Sequence, residues 1–71
     1  MITIDNNYLD RFKRIYNCYW FYVTKGVYLE FNDNLEYEGL ETFYNLSSIQ
    51  LAKLEEKSLN TLYKLGWIYD K

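Results

Sequence analysis

Tyr19-Trp20-Phe21-Tyr22-Val23-Thr24, then Lys25-Gly26, then Val27-Tyr28-Leu29-Glu30-Phe31 is the stretch whose reading decides the fold. β-Branched and aromatic residues fill both arms, and two turn-compatible residues separate them, which is the pattern of a β-hairpin. With a two-residue loop, Thr24 faces Val27, Tyr22 faces Leu29 and Trp20 faces Phe31. That register predicts one face of Trp20, Tyr22, Val27, Leu29 and Phe31, and another of Phe21, Val23, Tyr28 and Glu30. Lys25 at the first loop position would need a positive φ, which Asn tolerates better. A slip of one residue would exchange the faces.

Downstream, Asn32-Asp33-Asn34 is a turn signal, because Asx side chains bond to nearby backbone and tolerate the left-handed region. Leu35-Glu36-Tyr37-Glu38 then reads as a third strand, with Leu35 and Tyr37 inward, Glu36 and Glu38 outward, and Gly39 ending it. Leu40 to Leu46 is expected as a short helix. Ser47, three residues before Gln50, is a capping-box pattern. Leu51, Leu54, Ser58, Leu62 and Leu65 fall on one helical stripe, and Gly66 follows as the C′ residue. Trp67-Ile68-Tyr69 is too apolar to hang in water and is expected to fold back on the core or on a second subunit.

Upstream, Asp5 or Asn7 is placed to cap a helix, with Asp10 in its opening turn. Leu9, Phe12, Ile15, Tyr16 and Tyr19 recur at three- and four-residue intervals and predict its apolar face. The expected fold is α+β: an N-terminal helix, a three-stranded antiparallel meander, and a C-terminal helix packed on the sheet.

A chain of 71 residues is one small domain, spanning 1–71. It has one cysteine, no histidine and no proline, so neither an internal disulfide nor a zinc site stabilises it. Aromatic mass, 21% of the residues, is what is available to fill the core. The sheet is expected to be apolar on both faces, and covering the second face is the reason to expect a homodimer. Met1-Ile2-Thr3-Ile4-Asp5 lacks the basic start and apolar run of a secretory peptide. The apolar run Cys18 to Val23 is too short to span a bilayer. A lone cysteine fits a reducing cytoplasm, the expected location, with no membrane partner.

The residue inventory argues against an enzyme. Without histidine there is no imidazole base and no Ser-His or Cys-His pair. Cys18 lies among aromatic residues, where a thiol is usually inert. Gly26, Gly39 and Gly66 are isolated, so no phosphate-binding loop exists. Asp33, Asn34, Glu36 and Glu38 lack the repeated oxygen positions of a calcium loop. No catalytic residue, metal site or cofactor is assigned. Arg11, Lys13 and Arg14 make too small a basic footprint for direct nucleic-acid binding and read as a solvated surface.

Charge is segregated along the chain. Val27 to Ala52 holds Glu30, Asp33, Glu36, Glu38 and Glu41 and no lysine or arginine, so it stands at −5 within a total of −2. Placed on a meander and its turn, these five carboxylates form a row of negative charge, with Tyr28 and Tyr37 as aromatic anchors beside it. Such a row would fit a basic groove that binds nucleic acid by phosphate neutralisation. The plainer alternative is that the acids keep an aromatic sheet soluble and discourage edge pairing.

In length, Asn/Tyr/Lys/Glu-rich composition, free Cys18 and lack of catalytic residues, the chain resembles the small host-takeover and anti-defence proteins of phages. Several of these inhibit a host factor by binding it, and some are acidic DNA mimics aimed at the nucleoid protein HU, RNA polymerase or CRISPR nucleases. The resemblance implies an inhibitor whose partner is a basic, nucleic-acid-binding host protein. The competing expectation is an adaptor or inhibitor working through an apolar aromatic surface such as Trp67-Ile68-Tyr69.

Overall fold

Val27, Leu29 and Phe31 have 0% exposure in the computed structural model, which describes residues 1–71. The chain runs β1 (Ile2–Ile4), a 3₁₀ segment (Asn6–Arg11), β2 (Lys13–Ile15), β3 (Cys18–Thr24), β4 (Val27–Asn32), β5 (Tyr37–Thr42), α1 (Ser48–Leu65) and β6 (Ile68–Asp70). Strands β2-β3-β4-β5 form one antiparallel sheet in that order, and β1 pairs with β6 in a second, two-stranded one. The α+β class is as the sequence suggests, but the arrangement is not. The meander has four strands, the termini form a ribbon of their own, and α1 is the single α-helix.

The predicted N-terminal helix does not form. Asp5 does act as a cap, its Oδ1 accepting from the Asn7 amide at 2.8 Å, but it caps only the 3₁₀ segment. Phe12 is already extended, at φ −116° and ψ 144°. Helical spacing from Leu9 to Tyr19 competes with the pairing of Lys13, Arg14 and Ile15 against Trp20, Tyr19 and Cys18, and the pairing wins. It wins because an extended Phe12 brings its ring to 5.6 Å from that of Phe21 and 5.3 Å from that of Phe31. Those contacts bury Phe12 in the core with Ile4, Leu29, Phe31, Leu62 and Ile68. Tyr16 turns the chain between β2 and β3 with φ 53° and a ring that is 96% exposed.

The hairpin forms, with the two faces of β3 exchanged relative to those of β4. Thr24 does face Val27, but the register then shifts, so that Tyr22 faces Tyr28 and Phe21 faces Leu29. Val23 is the extra residue of a bulge. Trp20 and Tyr22 therefore share a face with Tyr28 and Glu30, and Phe21 joins Leu29 and Phe31 on the core side. Gly26 supplies the left-handed turn conformation at φ 74°, which spares Lys25 from adopting it.

The third predicted strand is displaced. Asn32 builds the turn: its Oδ1 accepts from the Asn34 amide at 2.9 Å and from the Glu36 amide at 3.0 Å. Leu35 closes that turn at φ 70° and packs against the core, so its burial offsets the strain of a left-handed leucine. The strand starts at Tyr37 and runs on to Thr42, through the start of the segment expected as a helix. Gly39 does not end it. A second register shift lies there, with Glu30 facing Gly39 and Phe31 facing Tyr37, so Glu38 is the extra residue.

The C-terminal helix forms as predicted. Ser47 and Gln50 make a reciprocal capping box, and Gly66 terminates α1 in the left-handed region at φ 75°. Leu62 has 0% exposure in the core, with Leu59 and Tyr63 packed beside it. The chain then folds back. Ile4 faces Ile68 across the β1–β6 ribbon, and the Lys71 amide donates to Met1 O at 2.8 Å. A bridge from Thr3 to Glu36, with the Ile4 amide donating to Leu35 O at 2.9 Å, ties the ribbon to the start of β5. No helix is long and apolar enough to cross a membrane.

The ring of Tyr44 lies on the Cα of Gly26, where an added Cβ would collide with it, and the Phe43 amide donates to Gly26 O at 2.9 Å. Gly26→Ala is thus expected to lower unfolding free energy by about 1–3 kcal/mol in urea titrations. In a Tyr44→Ala background the cost should fall toward about 1 kcal/mol, because only the backbone strain is left. Equal cost in both backgrounds would show that the Tyr44 contact carries no energy.

Candidate partner-binding face

The outer face of the four-stranded sheet is set by the burial of β4. With Val27, Leu29 and Phe31 inward, Tyr28, Glu30 and Asn32 must point outward. The bulge at Val23 places Trp20 and Tyr22 beside them. Trp20 and Tyr28 have ring centroids 4.8 Å apart, Tyr22 and Tyr28 5.8 Å. Phe43, just past β5, adds a ring 5.9 Å from Trp20 and 6.2 Å from Tyr28. Tyr22 and Phe43 are 58% and 64% exposed. This is an aromatic cluster facing water.

The carboxylates border it. Glu30 accepts a hydrogen bond from Trp20 Nε1 at 3.1 Å, which fixes both indole and carboxylate. Glu41 is the cross-strand partner of Tyr28. Tyr37 and Leu40 both pack against the core although they are three residues apart, and the bulge at Glu38 makes this possible. Its consequence is that Glu36, Glu38 and Glu41 all lie away from the core. Glu36 also accepts from Asn32 Nδ2 at 3.4 Å, and Asp33 is exposed in the turn. Cys18 registers the local field: partial burial pushes its thiol up, Glu30 and Glu41 push the same way, and Arg14 and the Trp20 hydrogen bond oppose them. Its Sγ donates to Ile15 O at 3.0 Å.

Of the residues singled out from the sequence, Tyr28, Glu30 and Glu41 are brought together, with Glu36, Glu38 and Asp33 along β5 and its turn. Tyr37 lies elsewhere. It points to the core side, where its ring packs 5.2 Å from that of Phe31 and its hydroxyl donates to Glu55 Oε2 of α1 at 2.6 Å. The residues that sequence reasoning missed are Trp20, Tyr22 and Phe43. The predicted register assigned the first two to the face of Val27, Leu29 and Phe31, and the third lay in a predicted helix.

In the Trp67-Ile68-Tyr69 segment, Trp67 precedes β6, and Tyr69 within it is 44% exposed. Ile68 is buried, and Trp67 stacks on Tyr8 at 6.1 Å, meets Phe21 edge-on at 6.2 Å and carries the Arg11 guanidinium at 5.4 Å. A separate open groove of about 520 Å³ lies between Phe21–Thr24 and the α1 residues Leu54, Lys57, Ser58 and Thr61.

No protein-family model, curated protein or solved structure matches the chain.

Burial first, then the Glu55 hydrogen bond and charge, hold the Tyr37 phenol well above the usual tyrosine range. A raised native pKa means the folded state keeps a proton that the unfolded chain releases above about pH 10. Stability from this contact is therefore complete below about pH 10 and declines as pH climbs beyond it. Tyr37→Phe should be less stable than wild type at neutral pH and show a flatter loss above about pH 10. Parallel alkaline unfolding curves for the two proteins would contradict this assignment.

Proposed function

We propose that this protein acts by binding rather than catalysis, as an inhibitor that occupies the basic, nucleic-acid-binding surface of a partner protein with the outer face of its sheet. The observation that supports the reading is the bulge at Glu38. By turning both Tyr37 and Leu40 inward, it leaves the exposed Glu38 and the half-buried Glu41 on the outer side of β5, with Glu36 just before the strand and Glu30 on β4, both half-buried. A sheet holds such a row rigidly, and preorganised charge loses little freedom on binding. A host nucleoid protein such as HU, an RNA polymerase or a CRISPR nuclease has the required cationic groove, and the phage-inhibitor role suggested by composition belongs to the same reading.

The exposed Tyr22 and Phe43 rings support a second reading, in which the same face docks mainly through apolar contact. Ionic strength separates the two. Under the first reading, capture of basic proteins from a bacterial lysate should be strong at about 50 mM salt and largely lost at about 200 mM. Duplex DNA should compete for it, and Glu36→Lys with Glu38→Lys should abolish it while the circular dichroism spectrum stays native. Capture indifferent to salt, DNA and charge reversal, yet lost in Phe43→Ala, would establish the apolar reading in its place.

A further inference from the structure

Resting on that reading of the outer face, we infer that it selects arginine: Tyr28, Trp20 and Phe43, with Glu30 and Glu41, form a seat for a guanidinium group on an arginine-bearing basic segment of the partner protein. Tyr28 is the centre of the seat. On its own strand it is followed, two residues on and on the same face, by Glu30. Across the ladder it faces Glu41. Glu30 in turn faces Gly39, where nothing lies within 4 Å of an added Cβ, so the space beside Glu30 is open on the β5 side. Two carboxylates thus flank a cluster of rings in which Trp20 and Tyr28 are half-buried and Phe43 is exposed, and one carboxylate is oriented by the Trp20 indole at 3.1 Å.

This combination discriminates between cations. A guanidinium is planar, so it stacks on an aromatic face while its edge donates two parallel hydrogen bonds to a carboxylate. An ammonium is a compact, strongly hydrated point charge that gains from the carboxylates but little from the stack. The chain itself shows the preference. Its two arginines both lie over rings, Arg14 at 4.6 Å from the Tyr19 centroid and Arg11 at 5.4 Å from that of Trp67. Both are thereby committed elsewhere, so an arginine for the outer rings must come from another molecule. Lys13, the cross-strand partner of Trp20, puts a positive charge at the β2 margin and directs an incoming cation toward the β4–β5 side.

The test uses the intact protein and two peptides of equal length and charge, one an Arg-Gly repeat and the other a Lys-Gly repeat, titrated calorimetrically. The arginine peptide is expected to bind about three- to tenfold more tightly. Tyr28→Leu should remove that preference and leave lysine-peptide affinity unchanged. Phe43→Leu, at an exposed position that leaves the core intact, should narrow it. Equal affinities for the two peptides, or a preference that survives both substitutions, would overturn the seat. So would failure of both peptides to bind. Equal affinities that still collapse on Glu36→Lys with Glu38→Lys would leave the acidic-face reading standing, whereas indifference to that reversal would end both.

Discussion

The alternation of Val27, Leu29 and Phe31 in β4 is the constraint from which the rest of the structure follows. Three large apolar side chains with no exposure need a complete wall around them, and a chain this short has few ways to build one. β3 and β5 must each present apolar residues to the same side; β3 is aromatic on both of its alternating sets, whereas β5 has no unbroken alternating pattern that would do it. Each solves this with one extra residue. The bulge at Val23 lets Phe21 and Tyr19 face inward opposite Leu29 and Phe31, and the bulge at Glu38 lets Leu40 and Tyr37 do the same from the other flank. Without the first, Trp20 and Tyr22 would take the inner face in place of Phe21 and Tyr19; without the second, Gly39 and Glu41 would turn inward in place of Leu40. A slip of one residue exchanges every side chain beyond it, so in β5 the unbulged register would forfeit the burial of Leu40, at about 1.5–3 kcal/mol.

The wall is finished by elements far apart in sequence. Phe12 comes from the segment before β2, Leu62 from the helix, and Ile4 and Ile68 from the two ends of the 71 residues. The terminal ribbon substitutes for the disulfide or metal that small domains often use, since it closes the chain by backbone hydrogen bonds between positions as distant as Met1 and Lys71. It is also what occupies Trp67. With Tyr8 stacked at 6.1 Å, Phe21 at 6.2 Å and the Arg11 guanidinium at 5.4 Å, that indole is engaged within the fold, one of the two outcomes its apolarity in the sequence suggested.

What could be read from the sequence was what local chemistry decides. Ser47 with Gln50, the leucine stripe and Gly66 specify α1 within a residue, because caps and periodicity act over a single turn. Asn32 specifies the β4–β5 turn in the same local way. The bulges are different. Nothing in Tyr22-Val23-Thr24 or Tyr37-Glu38-Gly39 requires an extra residue; the requirement comes from the neighbouring strand, which sequence inspection sees only as an alternating pattern. The N-terminal helix misled for a related reason. Leu9, Phe12 and Ile15 have helical spacing, and the preference for pairing Lys13–Ile15 with β3 becomes visible only once the core has a vacancy for the Phe12 ring. The acidic residues and Tyr28 were therefore identified, but the aromatic company of Trp20, Tyr22 and Phe43 beside them was not.

That company matters for how the face could act. Electrostatic interactions are screened over about 8 Å at physiological ionic strength. Glu36 and Glu41 lie opposite Asn32 and Tyr28, four residues apart on β4, about 14 Å at ~3.4 Å per residue. The carboxylates thus do not add up to a single distant field; each is felt by the part of a partner lying directly against it. A row of this kind would be weak if every carboxylate stood alone in water, since exposed ion pairs contribute only about 0–1 kcal/mol. Beside Trp20, Tyr28 and Phe43 the balance changes. A partner lying on those rings excludes water from Glu30 and Glu41, lowers the local dielectric, and strengthens the same ionic contacts that brought it there. The residues of this face are then best understood as one unit, in which the rings supply the dry surface and the carboxylates the selectivity for positive charge.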